Sequence, residues 1–173
     1  MAWKEDVRRW HPGQTWIWQA GGFGVLDPGI NAFSILTQII AEPLFAQTAL
    51  LLVPSNCGAP IAAEIEFTSA SGVAITVELD FRQLGTQTWT IDLDTNTGPI
   101  KLSAGGSLLS VANECIEPDG HMLSGEYGSI YRRFAELIGS GQSEADARPL
   151  QLVADVFMVA RHIPVEPFDM RVP

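Results

Sequence analysis

The sequence contains few of the residues that bind metals or form disulfide bridges. Its two cysteines, Cys57 and Cys115, lie far apart, and neither belongs to a Cys-x-x-Cys pair. The three histidines are scattered along the chain. No metal site is therefore expected, because zinc sites draw three or four such ligands from short spacings. Two free thiols are typical of a reducing compartment, so we predict a cytoplasmic location.

The sequence also has no segment for export or membrane insertion, and it is poor in basic residues. The first six residues include Lys4, Glu5 and Asp6 and lack the apolar stretch of a secretory signal. The apolar run at residues 46–54 is too short to span a bilayer. The chain has ten Lys and Arg residues and twenty Asp and Glu residues, which gives a formal net charge of −10. This balance argues against nucleic acid and anionic membrane surfaces as partners.

Motifs for phosphate binding and for a nucleophilic serine are absent as well. Neither GxxxxGK(S/T) nor GxSxG occurs in the chain. The segment from Gly22 to Asp27 begins like the dinucleotide motif GxGxxG, but it ends on Asp and follows no hydrophobic parallel strand. We therefore predict that this chain binds no dinucleotide cofactor by itself.

Apolar residues, in contrast, are plentiful. They make up 46% of the 173 residues, which is enough for a core and predicts one domain over residues 1–173. Strict alternation of apolar and polar residues from 44 to about 111 predicts short strands joined by tight turns. Strands are also predicted at residues 2–10 and at Trp16 and Trp18, whose side chains would share one face.

Apolar spacing close to 3.6 residues predicts three helices, at residues 27–41, around 130–138 and around 150–158. The last two close the chain. Strands in series with tight turns form an antiparallel meander rather than βαβ units. The predicted fold class is thus α+β: an open, mostly antiparallel β-sheet with about three helices on one face and no Rossmann domain.

The candidate site residues lie in the first 31 residues. Asp27 precedes Pro28, as an N-cap residue does, and Asn31 lies four residues later on the same helix face. A carboxylate and an amide on one face can bind a sugar hydroxyl as acceptor and as donor. An Asp that only caps its helix is the alternative. If Asp27 caps its helix, the helix N-terminus should also lower its pKa.

His11 and Glu5 are the second pair of candidates. An imidazole can accept a proton or orient a hydroxyl, although a lone histidine is more often structural. Glu5 lies six residues earlier, on the same face of a regular strand, and a solvated charge is its simpler interpretation. Trp10, Trp16 and Trp18 have rings able to stack on a sugar, but core or interface packing is equally common.

The stretch Gly21-Gly22-Phe-Gly-Val-Leu-Asp27-Pro-Gly-Ile-Asn31 resembles the substrate domain of the glucose–fructose oxidoreductase and inositol dehydrogenase family. That family has a motif in which two glycines are followed by a short apolar run, an Asp, three further residues and then a His. Asn31 in place of His is similar to the branch of aldose 1-dehydrogenases that act on D-galactose and L-arabinose. The flanks agree with that branch, namely the run from Trp3 to Gln14, Gln87-Thr88-Trp89 and the run from Pro149 to Asp155.

The resemblance implies oxidation of a pyranose to its lactone with NAD or NADP. It makes Asp27 the group that assists proton removal and Asn31 the group that holds the reacting or a ring hydroxyl. It makes Glu5 and His11 contacts to more distal hydroxyls. The family's catalytic lysine, in a Glu-Lys-Pro motif of the nucleotide-binding half, has no match, and only nine residues precede the Trp-rich stretch.

The absence of this lysine motif predicts that the chain is the substrate-binding and dimerisation half of such a dehydrogenase. This half would lack the N-terminal nucleotide-binding domain and would be inactive alone. The alternative is a non-catalytic sugar-binding or oligomerisation module on the same scaffold. The resemblance also implies a homodimer through the open face of the sheet. A row of acidic residues on the strands counts against that pairing, because like charges repel.

Overall fold

The computed structural model of the chain describes residues 1–116 and 122–171, and the side chains of residues 122–126 are outside the description. The strands are β1 (Ala2–Lys4), β2 (Leu44–Pro54), β3 (Ala62–Ser69), β4 (Ala74–Asp80), β5 (Thr88–Thr95), β6 (Gly98–Ser103), β7 (Leu108–Val111), β8 (Glu114–Ile116) and β9 (Ala160–Val165). The helices are α1 (Val7–Trp10), α2 (Leu26–Ile39), α3 (Met122–Ser140) and α4 (Arg148–Val159), with a 3-10 helix at Thr15–Trp18.

The chain divides into two compact units, Met1–Trp89 with Arg148–Pro173, and Thr90–Ala147. In the first unit the strand order is β1-β4-β3-β2-β9. The pairs β2–β3 and β3–β4 are antiparallel, whereas β1–β4 and β2–β9 are parallel. In the second unit β5, β6, β7 and β8 follow one another as an antiparallel meander. The predicted fold class, α+β with a mostly antiparallel sheet, is confirmed.

The core lies in the first unit, between one face of the strands and helices α2 and α4. Alternation of apolar and polar residues along the strands determines which side chains form this face. The buried ones include Ile65 and Phe67 on β3 and Val77 and Leu79 on β4, as the period of two predicted. The ring of Phe33 on α2 meets Phe67 edge to face, with the centroids 5.5 Å apart. Burial of these side chains is what orients α2.

The opposite face of the same strands is polar. Glu64 and Glu66 on β3 are exposed, and Glu64 is directly opposite Glu78 on β4. Glu78 pairs with Lys4, and Glu66 accepts a hydrogen bond from Thr48. Pairing of two such faces in a homodimer stays a prediction.

In the second unit, α3 carries a row of exposed apolar side chains. Tyr127, Tyr131, Phe134 and Ile138 are all more than half exposed. On the polar side of the helix, Arg133 binds Glu136 and Glu144. No helix within the described ranges is long and apolar enough to cross a membrane.

Three predictions about local structure were wrong. Residues 2–10 are not one strand, because β1 ends at Lys4 and Asp6 then starts α1 by accepting a hydrogen bond from the Arg8 backbone N–H at 3.1 Å. Trp16 and Trp18 lie in a 3-10 helix instead of a strand. After α4 the chain continues into β9, a strand that local periodicity had not indicated because its partner β2 is distant in sequence.

Helix α2 also differs from its prediction. Its N-cap residue is Val25, so Asp27 lies in the first turn and makes no capping hydrogen bond. The backbone N–H of Asp27 instead donates to the Gly24 carbonyl at 3.0 Å, which starts the helix one residue earlier than expected. The helix ends at Ile39, two residues before the predicted end.

Candidate functional site

The glycine-rich loop before α2 serves close packing within the chain. A Cβ on Gly22 would lie 2.7 Å from the carbonyl oxygens of Trp16 and Ile17, and one on Gly24 would lie 2.1 Å from that of Pro60. Gly24 also has a φ of +54°, a conformation that side chains rarely adopt. These contacts fix the start of α2 against the neighbouring loop.

The same close contacts determine how much space this loop leaves for a dinucleotide. Glycines of a cofactor loop leave backbone room for a pyrophosphate, but here that room is filled by carbonyl groups of the chain itself. The described residues therefore do not fit NAD or NADP at this loop. The described ranges also contain no group of three His, Cys, Asp or Glu placed to hold a metal ion.

Helix α2 carries Asp27 and Asn31 on the side away from its packed face. The residues that face the core include Leu26, Ala32, Phe33 and Leu36. Asp27 is half-buried and Asn31, one turn later, is exposed. Both side chains are thus on the polar side of the helix, as their four-residue spacing predicted.

Partial burial governs the electrostatic setting of Asp27. It raises the pKa of the Asp27 carboxyl above its ordinary value, and a protonated His11 lowers that pKa again in part. The lowered pKa was expected of an Asp that caps the helix, and Asp27 makes no capping hydrogen bond. A charge on His11 thus acts on Asp27, and the presence of both residues in one sugar site stays a prediction.

Glu5, which is buried, and His11, which is partly exposed, form a pair. The His11 Nε2 atom lies 2.8 Å from Glu5 Oε1, and the two side chains are 20% and 2% exposed. They meet because α1 turns the chain back after β1, with His11 at the C-cap, rather than through one strand face. The imidazole ring also packs against Phe81, with centroids 5.6 Å apart.

A concavity of about 200 Å³ lies beside this pair. His11, Gln14 and Trp18 are among its lining residues. Trp18 is half-buried, and its ring packs edge to face on Phe81 at 5.8 Å. Trp10 and Trp16 are 54% and 50% exposed. Of the three tryptophans predicted to contact a sugar, Trp18 is the one with a place in this concavity.

Sequence reasoning missed two polar partners of Glu5. Trp3 Nε1 donates to Glu5 Oε2 at 2.9 Å, and Gln87 Nε2 donates to the same oxygen at 2.5 Å. Gln87 lies 82 residues from Glu5 in sequence. A signal for it existed, since Gln87-Thr88-Trp89 was part of the family resemblance. Gln14 was missed in the same way within the run from Trp3 to Gln14.

Comparison with known proteins finds similar sequences and similar structures. No family model matches the chain. It is 45% identical over 168 residues to the galactose 1-dehydrogenase of Pseudomonas fluorescens, a match that covers 96% of this chain and 53% of that protein. A crystal structure of a D-galactose-1-dehydrogenase protein from Rhizobium etli is 50% identical, with a TM-score of 0.89, and the match covers 97% and 53% of the two chains.

More distant structures share the fold alone. A variant of KijD10, a 3-ketoreductase from Actinomadura kijaniata, superposes with a TM-score of 0.69 at 15% identity, over 95% of this chain and 52% of that one. The fold is that of a dehydrogenase C-terminal domain. The chain is similar to members of the glucose–fructose oxidoreductase and inositol dehydrogenase family of dehydrogenases, as its sequence motif implied. It resembles the galactose 1-dehydrogenases named above over nearly its whole length, and it spans about half of theirs.

Proposed function

We propose that this chain is the substrate-binding half of an NAD(P)-dependent aldose 1-dehydrogenase. Its substrate would be a pyranose such as D-galactose or L-arabinose, oxidised at C1 to the lactone. The galactose 1-dehydrogenases that are 45% and 50% identical over nearly the whole chain support this assignment. The observation that carries it is the half-buried Asp27 carboxyl in the first turn of α2, whose pKa burial raises and on which a charge at His11 acts in the opposite direction.

The reaction removes a proton from the C1 hydroxyl and a hydride from C1. A half-buried carboxylate with a raised pKa is a better proton acceptor than an exposed one, so Asp27 would take the hydroxyl proton. Asn31 is exposed one turn later, and its amide can both donate to and accept from a sugar hydroxyl. His11 would contact a further hydroxyl from the concavity that it lines.

The hydride acceptor would be NAD or NADP, because protein side chains cannot take up hydride. In the glycine loop the backbone room that a pyrophosphate would need is filled by the chain's own carbonyl groups, which argues against this loop as the cofactor site. We propose that the nucleotide is held by residues corresponding to the rest of the relatives' length. The chemistry assigned to this chain is therefore limited to holding the sugar and accepting the hydroxyl proton.

Titration of the isotope-labelled chain with D-galactose, followed by amide NMR shifts, tests the sugar-binding part of the proposal. The chain offers one side of a cleft, so we expect a dissociation constant in the millimolar range, on the order of −4 kcal/mol. Shifts should centre on residues 11–31. Asp27→Ala and Asn31→Ala should each weaken binding about tenfold, as loss of a hydrogen bond to a charged or amide group does.

Ser34→Ala is the matched control, because Ser34 is exposed and lies two turns beyond Asp27 on the same helix. Its affinity should equal that of the unmodified chain. Shifts that centre elsewhere, or equal affinities for the Asp27→Ala, Asn31→Ala and Ser34→Ala variants, would contradict the proposed site. L-Arabinose and D-glucose, titrated in the same way, rank the substrates.

A further inference from the structure

The Glu5 carboxylate has no free atom for a ligand. The residue is 1% exposed. Its Oε2 accepts hydrogen bonds from Trp3 and Gln87, at 2.9 and 2.5 Å, and its Oε1 lies 2.8 Å from His11 Nε2. A sugar that enters the concavity meets His11, which is 20% exposed at its side chain, before it could reach Glu5. This enclosure distinguishes Glu5 from the candidates on α2.

The partners of Glu5 determine where hydrogen atoms lie. An indole N–H can only donate, so Trp3 requires an acceptor at Oε2. An ionised carboxylate accepts at both oxygens, which makes Oε1 an acceptor too. His11 Nε2 must then carry the proton and donate to Oε1. In a neutral imidazole the other nitrogen, Nδ1, is consequently an acceptor.

We propose that Glu5 is a positioning residue and not a sugar contact. Together with Trp3 and Gln87 it holds His11 as the Nε2–H tautomer, and this leaves Nδ1 as the acceptor for a substrate hydroxyl. The proposal revises the role that the family resemblance implied for Glu5. It rests on the proposed function only in the statement that the hydroxyl belongs to a sugar.

The tautomer of His11 is directly measurable by long-range proton–nitrogen NMR of the imidazole rings. The chain has three histidines, and the signals lost in His11→Gln assign the ring. At about pH 8, where histidine is ordinarily neutral, Nε2 should show the shift of a protonated ring nitrogen and Nδ1 that of an unprotonated one. The opposite pattern in the unmodified chain would overturn the proposal without any variant.

Glu5→Gln provides the sharper test, because the isosteric amide has one acceptor and one donor end. Trp3 demands the acceptor end, so the NH₂ group should face His11 Nε2 and the proton should move to Nδ1. A folded variant whose tautomer stays unchanged would contradict the proposal. Adding Trp3→Phe removes the partner that can only donate and leaves Gln87, whose amide can present either end, so the double variant should regain part of the Nε2–H form.

Glu64→Gln is the control, since Glu64 is an exposed glutamate on the open face of the same unit. It should leave the His11 signals unchanged. Galactose titration of Glu5→Gln gives a second readout: replacing the Nδ1 acceptor by a donor should weaken binding about tenfold. A switched tautomer with unchanged affinity would refute the acceptor role of Nδ1. The tautomer result itself is independent of sugar binding, so failure of the proposed function would be recognised separately.

Discussion

The two parts of the candidate site are held in place by different interactions. In the N-terminal segment the polar side chains bind one another: Glu5 binds His11, and Asp6 binds Arg8. On α2 the holding contacts are apolar. Phe33 is fully buried against Phe67, and Gly29 allows the helix to approach Leu79, which a Cβ would meet at 2.8 Å.

The difference explains which polar groups are open to a ligand. Polar groups that fix a segment by hydrogen bonds to each other have their donors and acceptors already used. A helix that is fixed by its apolar side needs none of its polar groups for packing. Asp27 and Asn31 are therefore available for substrate, whereas Glu5 acts through His11. Stability changes in the two parts should differ in size and in pH dependence.

The largest effect is expected for Phe33→Ala. The substitution removes a buried ring and leaves a cavity, so the free energy of unfolding should fall by about 4 kcal/mol. Phe45→Ala is the matched control, because Phe45 is 52% exposed on β2. Its cost should stay below about 1 kcal/mol. Urea unfolding at pH 7 measures both, and equal losses would show that apolar packing of this ring does not hold α2.

Asp6→Ala should have an intermediate effect that depends on pH. The hydrogen bonds from Arg8 hold the pKa of the Asp6 carboxyl below its usual range. A lowered pKa in the folded state adds stability that is present above the unfolded value and is lost as the pH falls through the folded value. The variant should lose about 1–2 kcal/mol at pH 7, because Asp6 is also the N-cap of α1.

Asp169→Ala is the control for Asp6→Ala. Asp169 binds Arg171 through the same local Asp-x-Arg hydrogen bonds, but both side chains are exposed. Exposed pairs contribute little, so its loss should be near zero. Urea unfolding at several pH values between about 2 and 7 should show the two variants converging in acid. A pH-independent cost for Asp6→Ala would contradict a charge-based role.

Sequence predicted those parts of the fold whose signals are local. Alternation located β3 and β4 because each strand has one buried face, as Phe67 and Leu79 show. The error at residues 2–10 has a side-chain cause, since Asp6 captures the Arg8 N–H and begins a helical turn. Strand β9 depends on parallel pairing with β2, whose residues lie more than a hundred positions away. No local period indicates such a partner.

The candidate site was likewise predicted where the signal is local and missed where it depends on distant residues. Asp27 and Asn31 share the polar side of one helix, which their spacing predicts directly. Glu5 and His11 do meet, although the predicted strand face is not the reason. Trp3 and Gln87 were missed as site residues because local periodicity does not indicate hydrogen bonds between distant residues, although both lie in runs that carried the family resemblance. The raised pKa of Asp27 depends on burial by distant residues, which local spacing does not indicate, and the lowered pKa was predicted only for an Asp that caps the helix.

Asp27→Asn should give the smallest effect, and its sign discriminates between two forces. Burial raises the pKa of Asp27 in the folded state. The folded state then binds a proton more tightly, so the stability contribution is present at low pH and is lost as the pH rises through the folded value. At pH 7 the ionised carboxylate opposes folding, and the neutral variant should be more stable by about 0.5 kcal/mol or less.

The gain should disappear below the ordinary carboxyl pKa of about 3.9, where Asp27 is neutral in both states. Asn31→Ala, an exposed position on the same helix, should show no pH-dependent difference. Thermal unfolding at pH 3 and pH 7 is the measurement, with all chains at one concentration. If Asp27→Asn were less stable at pH 7, the attraction of the carboxylate to the helix N-terminus would outweigh its loss of solvent. A gain in stability together with weaker galactose binding is instead what a residue retained for function would show, because such groups are kept in settings that oppose folding.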